Sequence, residues 1–137
     1  MLLKIKNTTL EYHRVGSGPL VILFHSTASS LNQWHSLINL LKNEYEIIAI
    51  NLFGYGLTSK WIENNNQQNL LDHVKLTEPF INSYKGKITF IGHSFGGSVA
   101  MRAALEFQIK LNKLILLEPN AFFILNKKDH TYAYNIA

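Results

Sequence analysis

The sequence contains no cysteine, and this absence removes several classes of site at once. Disulfide bonds, thiolate metal centres and a cysteine nucleophile are all excluded, which fits a reducing compartment. Long apolar runs are absent as well, since none approaches the roughly 18 residues needed to cross a bilayer. The N-terminal stretch MLLKIKNTTLEY alternates apolar with polar residues and has no signal-peptide core. We therefore expect a cytoplasmic protein without a membrane span.

Charged residues are also few, at 16% of the chain, and they are scattered along the sequence. The 13 Lys and Arg outnumber the 9 Asp and Glu, but only Lys127 and Lys128 are adjacent. A nucleic-acid site would need basic residues clustered on one face, so we expect no nucleic-acid partner. With 47% hydrophobic residues in a chain of 137, the composition is that of one folded domain, which we assign to residues 1–137.

The apolar pattern predicts alternating strands and helices. Strands are predicted at residues 2–6, 9–14, 20–24, 46–50, 87–92 and 113–118. Helical spacing of apolar residues covers 33–42, 70–84 and 97–107, with Pro79 expected to kink or split the second of these helices. The longer connections suit parallel crossovers, whereas the first two strands are joined by a tight turn. The predicted fold class is therefore α/β, a mostly parallel sheet with an antiparallel N-terminal edge hairpin.

The carboxyl ends of parallel strands meet at one edge of a sheet, and open α/β sheets bind their ligands along that edge. Polar segments follow three of the predicted strands and should meet there. They are HSTASS at 25–30, GHSFGG at 92–97 and EPN at 118–120. We expect the functional site at this edge.

The segment GHSFGG matches the pattern G-x-S-x-G between a predicted strand and a predicted helix. A sharp strand-to-helix turn strains the serine backbone and lifts its hydroxyl clear of the sheet, while Gly92 and Gly96 avoid collisions with neighbouring elements. The N–H of Phe95, at the start of the helix, is placed to stabilise an oxyanion. The pattern predicts Ser94 as a nucleophile in strained geometry. The alternative is that Ser94 caps the helix in an inert turn.

In this order, the segments LFHSTASSLNQW, NLFGYGLTS and GHSFGG resemble the N-terminal half of the α/β-hydrolase fold family, in its serine-nucleophile branch. The resemblance implies that Ser94 is the nucleophile and that the backbone N–H groups of Phe95 and Thr27 form the oxyanion hole. It also implies that His25 ends a strand and shapes the oxyanion loop. A serine at this position argues against the dehalogenase and epoxide-hydrolase branches, which attack with a carboxylate.

The sequence departs from the family pattern at two points. Asn51 stands where the family usually has an aspartate, at a mainly structural site, so we expect an effect on local stability. The family order is nucleophile, acid, histidine, with the histidine after two further strands. Glu118 is a candidate acid, and its alternative role is merely to end a strand beside the site. The only histidine after Ser94 is His130, in residues 121–137, where a cap or lid segment usually begins, and we do not expect it to act as the base.

The resemblance implies hydrolysis of an ester or another acyl bond of a small molecule, through an acyl-enzyme at Ser94. It implies no metal and no organic cofactor. Without an imidazole a serine hydroxyl is a weak nucleophile, so we expect a truncated chain that is inactive alone. The alternative is a non-catalytic remnant, or a half-domain that binds a complementary C-terminal fragment. An exposed strand at 113–117 would also favour self-association.

Overall fold

The computed structural model describes residues 1–62 and 67–120, which form a sheet with helices on both faces. The strands are β1 Leu2–Ile5, β2 Thr8–Val15, β3 Leu20–Phe24, β4 Glu46–Ile50, β5 Ile88–His93 and β6 Leu111–Leu117. The helices are α1 His35–Leu41, α2 Leu70–Lys75, α3 Glu78–Ser83 and α4 Phe95–Glu106, and 3₁₀ turns span Leu31–Trp34 and Gln108–Lys110. The predicted α/β class is confirmed.

The strand order across the sheet is β1-β2-β4-β3-β5-β6. β1 and β2 form the predicted antiparallel hairpin, and β2 also pairs antiparallel with β4. The remaining pairs, β3 with β4, β3 with β5 and β5 with β6, are all parallel. The carboxyl ends of β3, β5 and β6 therefore lie side by side, as the sequence predicted for this edge.

The sequence of β3 is apolar without interruption because the strand is buried on both faces. Alternate side chains of a strand point to opposite faces, and here both faces are covered. Leu20, Ile22 and Phe24 pack into the core beneath α2, α3 and α4. Val21 and Leu23 pack on the other face with residues of α1 and the turn before it.

The helical pattern at 70–84 is two helices, α2 and α3, rather than one kinked helix. Pro79 occupies the first turn of α3, where a missing N–H costs nothing, so the chain breaks just before it. Asn69 caps α2 as its sequence indicates: its side chain accepts from the Leu71 N–H at 2.9 Å. In return, Asp72 accepts from the Asn69 N–H at 3.0 Å, which completes a capping box.

β6 forms one edge of the sheet within the described residues, where it pairs with β5. Its side chains Ile115 and Leu117 are 41% and 44% exposed. The predicted start of a cap or lid at 121–137, and His130 with it, lies outside the described residues.

Candidate active site

The chain turns sharply from β5 into α4 at Ser94. The serine backbone has φ 53° and ψ −118°, a strained combination for a residue with a side chain. The sequence predicted a strained serine between a strand ending near Gly92 and a helix starting at Phe95, and this geometry is confirmed.

The two glycines of the motif are needed because backbone crowds them. A Cβ on Gly96 would collide with the carbonyl oxygens of Phe24 and His25 at the end of β3. A Cβ on Gly92 would collide with the carbonyl of Gly96 and approach Ala100 of α4. These contacts seat the start of α4 directly against β3, so Ser94 lies close to the loop that follows β3.

Hydrogen bonds to β6, to α4 and to the segment after β6 hold the backbone of Ser94. Its N–H donates to the Leu117 carbonyl at 2.9 Å, and its carbonyl accepts from the N–H groups of Gly97 at 2.9 Å and Ser98 at 3.3 Å. Asn120 adds two contacts, because its N–H donates to the Ser94 carbonyl at 3.1 Å and its Oδ1 accepts from the Ser94 hydroxyl at 3.3 Å. Among the described residues, the partner of the Ser94 hydroxyl is thus an amide oxygen.

Phe95 is the first residue of α4. The first N–H groups of a helix have no acceptor within the helix, and the Phe95 N–H is one of these. Its ring packs edge-on against the ring of His73, with 5.3 Å between the centroids. Phe95 therefore combines a partly buried ring with a backbone donor at the start of the helix, next to Ser94.

In the loop after β3, the backbone N–H groups differ in whether they have a hydrogen-bond acceptor. The Ser26 N–H donates to Gln33 Oε1 at 3.0 Å, and the Ala28 N–H donates to the Tyr55 hydroxyl at 3.4 Å. Thr27 between them is exposed, and within residues 1–62 and 67–120 no group accepts from its N–H. Ala28 has a positive φ of 57°, which fixes the turn at this point.

His25 is fully buried, and both of its ring nitrogens are engaged. Nδ1 lies 2.7 Å from the Ser26 carbonyl and donates to it, and Nε2 accepts from the Leu52 N–H at 3.1 Å. Burial lowers the pKa of the His25 imidazole, and the bond to the Ser26 carbonyl offsets this in part. The ring therefore ties the β3 loop to the segment after β4, and no hydrogen bond joins it to Ser94 among the described residues.

A second buried histidine, His73, lies beneath the site. It is 4% exposed and packs edge-on against Phe53 and Phe95. Burial lowers its pKa to about 4, with His25 adding to the decrease and Asp72 opposing it. The imidazole is therefore neutral at pH 7.

The candidate acid Glu118 does not meet Ser94. It is exposed, has a positive φ of 44°, and forms no hydrogen bond to the serine within the described residues. Asn120, two residues later, makes the contact instead. The segment EPN was expected at this edge, but which of its polar side chains would turn toward the serine depends on the backbone geometry at Glu118.

A cavity of about 690 Å³ opens beside Phe95, a size suited to a small molecule. Its walls also include Gln68, His73 and Arg102. Each of these three side chains has a buried nitrogen without a hydrogen-bond partner in the described part of the chain: Gln68 Nε2, His73 Nδ1 and Arg102 Nε.

Neither a metal-binding cluster nor a membrane-spanning helix is present in the part of the chain that the structure describes. Across residues 1–62 and 67–120, no group of three or more histidine or acidic side chains is arranged to hold a metal ion. In the same residues, no helix has the length and apolar character required to span a bilayer.

Known proteins are similar to this chain in sequence and in fold. The family model described as alpha/beta hydrolase fold matches residues 19–136. A pimeloyl-[acyl-carrier protein] methyl ester esterase of Legionella pneumophila (strain Corby) is 31% identical over 84% of this chain and 44% of its own length. Human epoxide hydrolase 4 is 29% identical over 87% of this chain and 35% of its own length.

Solved structures agree on the fold. The crystal structure of an epoxide hydrolase from Vigna radiata superposes with a TM-score of 0.75 at 21% identity, over 85% of this chain and 38% of that one. The chain thus spans less than half the length of these relatives. Since the family model covers most of its residues, the chain belongs to the alpha/beta hydrolase fold family.

Proposed function

We propose that Ser94 is the nucleophile of a serine hydrolase that cleaves an ester or another acyl bond of a small molecule. The observation that carries this proposal is the strained backbone of Ser94 at the strand-to-helix turn. A helix cap does not need a positive φ, and the Ser94 side chain makes no capping bond to α4. Strain of this kind is typical of functional sites, which argues against an inert turn.

The Ser94 hydroxyl attacks the substrate carbonyl in this proposal, and the bond to the leaving group then breaks to give an acyl-enzyme. Two backbone donors are available for the developing oxyanion, the N–H groups of Phe95 and Thr27. Phe95 is supported by its position at the start of α4. Thr27 is supported by elimination, because its neighbours Ser26 and Ala28 already donate to side chains.

Among the described residues, no general base contacts Ser94. The Ser94 hydroxyl donates instead to the side-chain oxygen of Asn120. An amide oxygen accepts a hydrogen bond but does not take a proton at neutral pH. We therefore propose that the cytoplasmic chain alone turns over acyl esters slowly, and that an imidazole supplied by a complementary C-terminal segment completes the site. Glu118, exposed at the same edge, remains a proposed acid that would orient that imidazole.

The second candidate function is binding of such a complementary fragment without catalysis by this chain. The exposure of Ile115 and Leu117 on β6 favours it, since an apolar edge strand is a template for pairing with another strand.

The test is turnover of short p-nitrophenyl acyl esters by the purified chain. We expect only a faint rate, of the order of the roughly thousandfold over water that oxyanion-hole binding provides even without a triad, so Ser94→Ala and His130→Ala should each leave most of it in place. Ser36→Ala is the control, since it removes an exposed hydroxyl on α1, away from the segment that contacts Ser94. A robust rate lost in both Ser94→Ala and His130→Ala would overturn the missing-base proposal. A rate well above this floor that Ser94→Ala leaves unchanged would overturn the proposed nucleophile.

A further inference from the structure

Gln33 joins two segments of the candidate site that are distant in the sequence, one at Ser26 and the other at His93. Its Oε1 accepts from the Ser26 N–H at 3.0 Å and from the Ser26 hydroxyl at 2.9 Å. Its Nε2 lies 2.9 Å from Nδ1 of His93, the residue before Ser94. The side chain therefore bridges the loop after β3 and the turn after β5.

The direction of each hydrogen bond in this bridge follows from one fixed donor. A backbone N–H can only donate, so the amide of Gln33 must turn its oxygen toward Ser26. Its NH₂ group then faces His93, and that group can only donate. Nδ1 of His93 must accept, which places the proton of the neutral imidazole on Nε2.

We propose that Gln33 is a positioning residue, which ties the loop after β3 to His93 and so fixes the Thr27 N–H relative to Ser94. This inference rests on the proposed function, since it concerns the oxyanion hole of that reaction. Ser26 immediately precedes Thr27, so anchoring Ser26 fixes one side of the peptide that carries the proposed donor. The Tyr55 hydroxyl anchors the other side through Ala28.

Gln33 also has a second effect, because its side-chain oxygen accepts the hydrogen bond of the Ser26 N–H. If Gln33 is removed, this N–H becomes a free donor beside that of Thr27, and the loop is released from the turn that holds Ser94. An oxyanion hole depends on donors held in place before the reaction, because fixed dipoles need not reorganise as charge develops. Loss of the bridge should therefore slow the reaction of Ser94 and have little effect on the stability of the fold.

Two substitutions separate the two ends of the bridge. Gln33→Met keeps the length of the side chain and removes both contacts. Gln33→Glu keeps an oxygen that accepts from Ser26 but has no N–H to offer His93, so the imidazole must turn its own proton toward the carboxylate. Asn32→Met is the matched control, since Asn32 is exposed in the same 3₁₀ turn.

Three measurements on the full chain follow from this design. The first is the tautomer of His93 from its imidazole ¹⁵N shifts, with the proton on Nε2 in the wild type and on Nδ1 in Gln33→Glu. The second is amide hydrogen exchange at Ser26, which should accelerate about tenfold in Gln33→Met, as for loss of one hydrogen bond, and stay slow in Gln33→Glu. The third is the rate at which a p-nitrophenyl phosphonate modifies Ser94, which should fall about tenfold or more in Gln33→Met.

A side chain that only packs would not reverse a tautomer, so these outcomes discriminate. If His93 keeps the same tautomer in all variants, or if Ser26 exchanges equally fast in the wild type and Gln33→Met, the bridge does not exist. If both signals change as expected while phosphonylation is as fast as in the wild type, Gln33 does not position the site. A wild-type chain that never reacts at Ser94 would contradict the proposed function, and the exchange and tautomer data would still decide whether the bridge exists.

Discussion

The side-chain amide of Asn51 donates a 2.7 Å hydrogen bond to the carboxylate of Glu11 and accepts one, also of 2.7 Å, from the Leu31 N–H. Glu11 accepts in addition from the Leu57 N–H at 2.7 Å. An amide serves both partners of Asn51, whereas an ionised aspartate could not, since a carboxylate has no hydrogen to donate. The departure from the family aspartate at this position is therefore matched to the glutamate beside it.

Asn51→Asp should consequently destabilise the fold. The change places two carboxylates within contact distance and removes their hydrogen bond, for an expected loss of about 2–3 kcal/mol in the free energy of unfolding at pH 7. The loss should shrink as the pH falls, because a proton shared between the two facing carboxyl groups removes their repulsion and restores a hydrogen bond. Urea unfolding followed by circular dichroism measures it. Asn39→Asp, on the exposed face of α1, is the control, and equal losses in both variants would contradict this account.

The buried imidazole of His73 predicts the pH dependence of stability. Its pKa is lowered from 6.5 to about 4 in the folded chain, so between these values the unfolded chain binds a proton that the folded chain does not. The free energy of unfolding should therefore be greatest above pH 6.5 and fall by up to about 3 kcal/mol as the pH approaches 4. The lowered pKa of His25 acts in the same direction.

His73→Phe should flatten this dependence, because it removes the titrating group and keeps an aromatic ring between Phe53 and Phe95. Unfolding by urea at a series of pH values from 4.5 to 8 compares the slopes. His35→Gln removes an exposed imidazole and should leave the wild-type slope unchanged. An unchanged slope in His73→Phe would show that His73 does not carry the effect.

Substitution of Gly96 tests the packing that seats Ser94. A Cβ there would meet two backbone carbonyls of β3 and the residue after it, which cannot move aside like a side chain. We expect Gly96→Ala to cost about 3 kcal/mol, the upper end of ordinary overpacking. Gly54→Ala is the comparison, since its Cβ would meet nothing within 4 Å and its positive φ of 80° alone should cost about 1 kcal/mol. A smaller loss at Gly96 than at Gly54 would contradict the close approach of α4 to β3.

The sequence predicted most of the fold because its signals were local and repeated. The runs LVILF and EIIAI gave β3 and β4 their observed bounds, since only a strand buried on both faces needs such a pattern. Pairing of β2 with β4 was not predicted, because strand order depends on which edges the crossovers leave open and not on local pattern. The break before Pro79 was anticipated, and its place was set by the preference of proline for the first turn of a helix.

The turn between β5 and α4 could be predicted from the sequence, but the residues that surround Ser94 could not. Gly92, Ser94 and Gly96 carry a pattern that geometry alone explains. Gln33 and Asn120 were missed as contacts, because an isolated amide has no spacing that distinguishes it from a solvated residue. Only the three-dimensional approach of the β3 loop and of the segment after β6 reveals what these amides bind.

The exposed edge of β6 predicts self-association. Ile115 and Leu117 are the exposed apolar side chains of this strand, and an uncovered apolar edge pairs readily with another. We expect the chain to self-associate or aggregate through residues 113–125, of which 121–125 lie outside the described residues, and to unfold below about 60 °C.

Ile115→Lys combined with Leu117→Lys should shift the chain toward a monomer in size-exclusion chromatography with light scattering. Ile109→Lys is the control, since Ile109 is 84% exposed but lies in a 3₁₀ turn outside the strand. A wild-type chain that is a monodisperse monomer with cooperative unfolding above about 60 °C would contradict this prediction.

The most direct test of the proposed nucleophile is covalent modification followed by peptide mass spectrometry. A p-nitrophenyl phosphonate forms a bond from phosphorus to a serine oxygen, releases p-nitrophenolate and leaves the hydroxyl proton to the solvent. The account predicts one adduct, slow to form because the described residues place no base on the hydroxyl, and located on Ser94. The adduct should be absent in Ser94→Ala and present in Ser36→Ala. Adducts spread over Ser26, Ser29 and Ser36 as readily as Ser94, or no adduct on Ser94, would contradict the account.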